Sequence, residues 1–223
     1  MMKLEGLKIN FLGDSITEGV GASSAETVYH AVLKKEAKLG VARNYGISGT
    51  RIALQFGGRG VPEEPTIDDK SFCERYNEMD DDADVVVVFG GTNDYGHGDA
   101  YIGKFEDRTP ETFYGACHTL FKGLIKKYLG KPIVIMTPLH RVDETKVPET
   151  KDPDRYLDLK GYVDIMREVA EYYSLPVLDL FKESGLQPEI EEIKENYLPD
   201  GLHPNDNGNK VIADKLKKFL ELL

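Results

Sequence analysis

The sequence predicts an α/β protein: a single doubly wound domain with a five-stranded parallel sheet covered by helices on both faces. Three observations carry this. Short apolar runs alternate with longer segments of helical periodicity, and that alternation implies right-handed crossovers and parallel strands. The run Val85-Val86-Val87-Val88-Phe89 is β-branched and lacks polar alternation, as expected of a central strand buried on both faces. The chain of 223 residues is long enough to bury a large core without disulfides. No Pro-, Gly- or Ser-rich linker and no repeat divides it, so residues 1–223 are read as one domain.

The five strand-like runs cover 7–12, 41–45, 84–89, 133–136 and 177–180. A helix is expected between the first two, at about 25–39. The clearest helix follows the third strand. Thr109-Pro110 suits an N-cap followed by Pro at the first helical position, and Phe113, Ala116, Cys117, Leu120, Phe121, Leu124, Ile125 and Tyr128 then fall on one face. Lys126 and Lys127 fill its last turn, and Gly130 supplies the stop. Another helix is expected near 155–173, through Leu159, Val163, Met166 and Ala170. The last carries Val211, Ile212, Leu216, Phe219 and Leu220. Two insertions, 51–70 and 95–108, are long for a compact domain, and such loops tend to be functional.

Composition narrows the class. There are 28 Lys and Arg against 39 Asp and Glu, a net charge of −11. That balance weighs against nucleic-acid and anionic-membrane partners, whose phosphates need a basic face. Cys73 and Cys117 form no C-x-x-C pair and read as small core residues. The five histidines show no H-x-x-x-H spacing, and no phosphate-binding G-x-x-x-x-G-K-[ST] loop occurs. Neither a metal nor another cofactor is therefore expected. With no apolar h-region at the start and no run of ~18 apolar residues, a reduced, soluble, cytoplasmic protein is expected.

In open α/β sheets, ligands bind at the carboxyl ends of the strands. After the first strand stands Gly13-Asp14-Ser15, which would expose a hydroxyl on a tight turn, although Asp and Ser are also common helix caps. After the second, Asn44-Tyr45-Gly46-Ile47-Ser48-Gly49 offers an unobstructed backbone N–H at Gly49, as an oxyanion site needs. After the third, Gly91-Thr92-Asn93-Asp94 can point a neutral amide donor into a cleft. Before the last helix, Asp200-Gly201-Leu202-His203 lets a carboxylate accept from His Nδ1–H and leave Nε2 as a base. Together these make a set for acyl transfer: nucleophile, base, orienter and two oxyanion donors.

With all four blocks in this order, the chain resembles the SGNH hydrolases, also called the GDSL lipase/esterase family. The likeness runs from the first strand to the last helix. It departs from the usual pattern after the second block, where Thr50 and Arg51 follow Gly49 directly; the family often places a Thr two residues beyond that Gly. The resemblance implies a flavodoxin-like three-layer α/β/α sandwich. It also implies roles: Ser15 as nucleophile; His203 as base and Asp200 as its orienter; and Ser15 N–H, Gly49 N–H and the Asn93 side chain as oxyanion donors.

The expected reaction is hydrolysis of a short-chain acyl ester, with O-acetyl esters of carbohydrates as a favoured class. No long apolar lid is evident. The insertions carry polar and aromatic residues (Arg51, Gln55, Arg59, Tyr95, His97, Asp99, Tyr101), and the loop after the fourth strand carries His140 and Arg141. Asp14, Arg51, Asp94, Tyr95 and His140 are the candidate substrate contacts, and a small acyl ester or acylated sugar is the expected partner. Lipase, thioesterase or acyltransferase activity and a non-catalytic carbohydrate-binding relative are the open alternatives. A phosphoacceptor module would need acidic residues at the carboxyl ends of the strands; Asp80-Asp81-Asp82 lies before the third strand and reads as a solvated turn. No heptad or dominant apolar patch indicates an oligomeric state.

Overall fold

The computed structural model describes residues 1–54, 70–97, 100–147 and 156–223. Gln55, Arg59, Asp99 and Arg155, and nearly all of the 51–70 insertion, lie outside the described residues. Five parallel strands, β1 (Lys8–Gly13), β2 (Val41–Gly46), β3 (Val85–Phe89), β4 (Ile133–Met136) and β5 (Val177–Leu178), form one sheet in the order β2-β1-β3-β4-β5. β3 is central and buried throughout. The pleat sends successive side chains to opposite faces. Leu12, Val86, Val88, Ile133 and Ile135 join one apolar cluster, and Ile9, Phe11, Val85, Val87, Val134 and Met136 join a second. The first cluster is covered by helices α5 (Phe113–Lys127) and α6 (Leu159–Tyr172), and the second by α2 (Tyr29–Ala37) and α9 (Asp206–Leu222). This is the expected α/β architecture with helices on both faces.

The element boundaries differ in instructive ways. The long helix starts at Phe113 rather than at Pro110, because Thr112 is the cap and its Oγ1 accepts from Gly115 N at 3.2 Å. Residues 25–39 split into a 3₁₀ turn, Ala25–Thr27, and α2. β5 stops at Leu178 because Asp179 turns out of the sheet. Its carboxylate caps α7 (Leu180–Glu183) through Lys182 N at 3.2 Å and pairs with Arg167 at 2.8 Å. The short helices α1 (Ser15–Glu18), α3 (Phe72–Arg75), α4 (Thr92–His97), α7 and α8 (Glu191–Tyr197) are too brief for periodicity to reveal.

The acidic triplet is more than a solvated turn. Asp80 and Asp82 pair with Arg43, Asp82 also with Lys8, and Asp81 with Lys127. The Asp80 carbonyl accepts from Asn10 Nδ2 and the Tyr128 hydroxyl. Cys117 is buried and Cys73 partly buried; both are free thiols, and burial pushes both upward from the ordinary thiol range. No described helix is long and apolar enough to cross a membrane.

Candidate active site

Ser15 begins α1 directly beyond the end of β1. The approach is tight: a Cβ on Gly13 would lie 1.9 Å from Thr17 Oγ1, so only glycine lets the strand end meet this turn. Asp14 caps α1, its Oδ1 accepting from Ile16 N at 3.0 Å. The serine is 6% exposed, and its Oγ lies 2.9 Å from His203 Nε2. His203 Nδ1 lies 2.6 Å from Asp200 Oδ2, while Asp200 Oδ1 accepts from the backbone N–H of Leu202 (2.9 Å) and His203 (2.7 Å). Burial pushes Asp200 up, but the hydrogen bonds from His203 and Leu202 outweigh it and hold the carboxylate below its ordinary range. An ionised Asp200 fixes Nδ1 as the protonated nitrogen. Nε2 is left to accept from the serine hydroxyl.

The histidine is placed by the start of α9. Asn205 caps that helix through Asn207 N and Gly208 N. Asp206 accepts from Ser23 N, Ser23 Oγ and Thr27 Oγ1 at 2.6–2.8 Å. Buried Asn209 accepts from Tyr29 N at 2.9 Å and donates to the Pro204 carbonyl, also at 2.9 Å. The strip around His203 is thereby tied to the start of α2 and the turn before it.

The loop after β2 is held just as firmly. Gly49 has φ +75, a left-handed conformation that favours glycine, and no described residue accepts from its N–H. Asn93 Nδ2 donates to the Thr50 carbonyl at 3.1 Å, and its second amide hydrogen is available to the cavity. Asp94 grips the next two residues, accepting from Ile52 N (3.0 Å) and Ala53 N (2.9 Å). Glu18 accepts from Ser48 N at 2.7 Å and from the Ser48 hydroxyl. Buried Arg75 donates to the carbonyls of Tyr45 (2.6 Å) and Gly13 (2.7 Å) and to Thr50 Oγ1 (2.7 Å). One guanidinium thus joins the ends of β1 and β2 to the residue after Gly49.

A cavity of about 460 Å³ opens beside these groups, lined by Ser15, Val20, Ser48, Gly49, Asn93, Gly96, His97, Arg141, Leu202 and His203. Ser15, Gly49, Asn93 and His203 share it, and Asp200 stands behind His203. The candidate substrate contacts Asp14, Arg51, Asp94, Tyr95 and His140 do not line it. Asp14 and Asp94 are buried anchors; burial raises Asp14 to about 7 and Asp94 to about 6. Arg51 is buried, with Nη1 3.4 Å from the Gly49 carbonyl and its charge beside Asp94. The Tyr95 hydroxyl donates to the Asp143 and Lys146 carbonyls. His140 pairs with Glu144 at 2.9 Å and stacks on Phe181. Sequence reasoning missed Glu18, Ser48, Arg75 and Asn209. Ser48 lies inside the second block and Glu18 three residues beyond the first, so both could have been weighed there, whereas nothing local marks Arg75.

A serine hydroxyl on an oriented imidazole, beside unengaged N–H donors, is the arrangement for nucleophilic attack on a carbonyl and stabilisation of the oxyanion that results. The model of the GDSL-like lipase/acylhydrolase family matches residues 11–211. A crystal structure of a Lactobacillus plantarum protein is 30% identical, covers 98% of each chain and superposes with a TM-score of 0.81. An acetyl xylan esterase is 24% identical over 95% of this chain and 98% of its own, with a TM-score of 0.61. A lipase/acylhydrolase from Enterococcus faecalis is 21% identical over 95% and 94%, with a TM-score of 0.63; at these lower identities the likeness is one of fold. No curated protein sequence matches the chain. Since the matched span takes in all four sequence blocks that the fold gathers at the carboxyl end of the sheet, the chain belongs to the GDSL-like lipase/acylhydrolase family of hydrolases.

Proposed function

We propose that this protein is a serine esterase of short-chain acyl esters, with O-acetyl esters of carbohydrates as the favoured class. The observation that carries this reading is the relay Ser15 Oγ–His203 Nε2 (2.9 Å) and His203 Nδ1–Asp200 Oδ2 (2.6 Å). His203 Nε2 takes the hydroxyl proton as Ser15 Oγ bonds to the ester carbonyl carbon. The oxyanion is met by Ser15 N–H, Gly49 N–H and Asn93 Nδ2. As the tetrahedral adduct collapses, the bond to the alcohol oxygen breaks and His203 returns the proton to that oxygen. Water then repeats the cycle on the acyl-serine, releasing the acid and restoring Ser15. Asp200 stays ionised and stabilises the imidazolium.

The cavity supports a small acyl group, because among the described residues Val20 and Leu202 are its only large apolar side chains. The acetyl xylan esterase shares the fold, which supports the O-acetyl class. Ser15→Ala is expected to abolish hydrolysis of p-nitrophenyl acetate and labelling by a fluorophosphonate, with the circular dichroism spectrum unchanged. Across p-nitrophenyl esters of rising chain length, kcat/KM is expected to fall. Undiminished Ser15→Ala activity would overturn the nucleophile, and a preference for long chains would overturn the substrate class.

A further inference from the structure

Among the described residues, Arg141 is the arginine on the wall of this cavity, and no described carboxylate contacts it. It is half-buried, on the loop after β4, and lines the same space as Ser15 and His203. Its Nη1 sits 3.3 Å from both the carbonyl and the hydroxyl oxygen of Thr92. Its guanidinium carbon lies 5.5 Å from the centre of the Tyr95 ring. Nε is buried without a partner, and no described carboxylate lies within ion-pair distance.

The nearby acids do not supply the missing partner. Asp14, Asp143 and Asp200 act on Arg141 only through space. Asp200 is engaged by His203 and two backbone N–H groups, Asp143 pairs with Lys146, and buried Asp14 holds its proton up to about pH 7. Burying a cation without a counter-charge is costly, so its retention in a catalytic cavity needs a reason.

Gly96 gives a second, independent observation. Its φ is not positive, so the backbone does not require glycine there, yet a Cβ at 96 would stand 2.9 Å from Arg141 Nη1. The missing side chain leaves the guanidinium uncrowded where it faces the cavity, and its planar fork is suited to a carboxylate or another compact anion.

We propose that Arg141 is the specificity-determining residue of this cavity and that the natural substrate is an ester bearing a carboxylate or similar compact anion. The inference rests on the esterase reading above. The anion could stand on either side of the scissile bond, because Arg141 borders the cavity that both halves of the ester must enter.

Two substrate pairs separate these cases. p-Nitrophenyl hemisuccinate against p-nitrophenyl butyrate places the charge on the acyl side. 3-Acetoxybenzoate against its methyl ester places it on the alcohol side. In wild-type protein, the anionic member of one pair is expected to have the higher kcat/KM, chiefly through a lower KM. Arg141→Gln is expected to lower that anionic-to-neutral ratio by roughly 10- to 100-fold, the range of one charge-assisted contact. Gly96→Ala, which crowds Nη1 without removing the charge, is expected to lower it less and serves if Arg141→Gln fails to fold. Preference for the neutral member in both pairs, or a ratio unmoved by the substitutions, would overturn the proposal while leaving the esterase intact. No turnover of any of the four esters would overturn both readings.

Discussion

Asp14 sits beside Ser15 with 1% of its surface exposed. Burial raises its carboxyl to about 7, Asp94 adds to the rise, and the Ile16 N–H and Arg75 oppose it. The unfolded chain releases this proton near 3.8, the folded chain only near 7. Between these values the folded state binds more protons, so the stability attached to this group is present below about pH 4 and lost as pH rises through 7. Asp14→Asn keeps an acceptor for Ile16 N and has no proton to lose. Its stability relative to wild type is therefore expected to improve between pH 4 and 7.5 by a few kcal/mol, at about 1.4 kcal/mol per pKa unit. Urea midpoints at the two pH values test this, and a difference that does not change with pH would contradict it. The residue was legible in the sequence as part of a block, but its place was not. It reads equally as a cap or a ligand contact, and only burial and the bond to Ile16 N decide for the cap.

At the scale of elements, the apolar face of α5 was readable from period alone, because Phe113 to Leu124 bury one stripe against the sheet. Its start was not, since Thr109-Pro110 and Thr112 are both acceptable local signals. The structure selects Thr112, whose hydroxyl accepts from Gly115 N and also donates to Asp107 Oδ2 at 2.9 Å. Thr112→Ala is accordingly expected to cost about 1 kcal/mol. Exposed Thr109→Ala should stay within about 0.5 kcal/mol of wild type. Chemical denaturation of the two single variants discriminates the caps, and equal losses would place the helix start at neither. The same reasoning explains β5: Val177-Leu178-Asp179-Leu180 reads as a continuous strand, but Asp179 has a ladder position to lose and Arg167 and Lys182 N to gain.

At the scale of the whole molecule, the sheet divides the interior into two clusters that share no buried residue. Ile135 belongs to one and Ile212 to the other, and both are fully buried. Ile135→Val and Ile212→Val are each expected to cost about 0.5–1.5 kcal/mol. Because the sheet lies between them, the double variant should lose the sum to within about 0.5 kcal/mol. Urea unfolding of the four proteins closes this cycle, and a larger coupling would mean that the two layers repack together.

Strand and helix alternation, the central position of the Val85–Phe89 run and the presence of the four blocks were determined by the sequence alone. Each rests on residue type and short-range spacing, which the backbone periods of 2 and 3.6 translate directly into faces. What the tertiary structure decided is the closure of the site. Ser15 and His203 are 188 residues apart, and Arg75 reaches Gly13 and Tyr45 across 62 and 30 residues. The cavity wall admits His97, Ser48 and Arg141 and leaves out Tyr95 and His140. Such contacts follow from strand order and from which end of the sheet each loop leaves, and no local pattern records that order. The opposite roles of adjacent residues have the same origin. Asn93 opens to the cavity and Asp94 turns into the protein, because successive side chains on one short helix cannot share a direction.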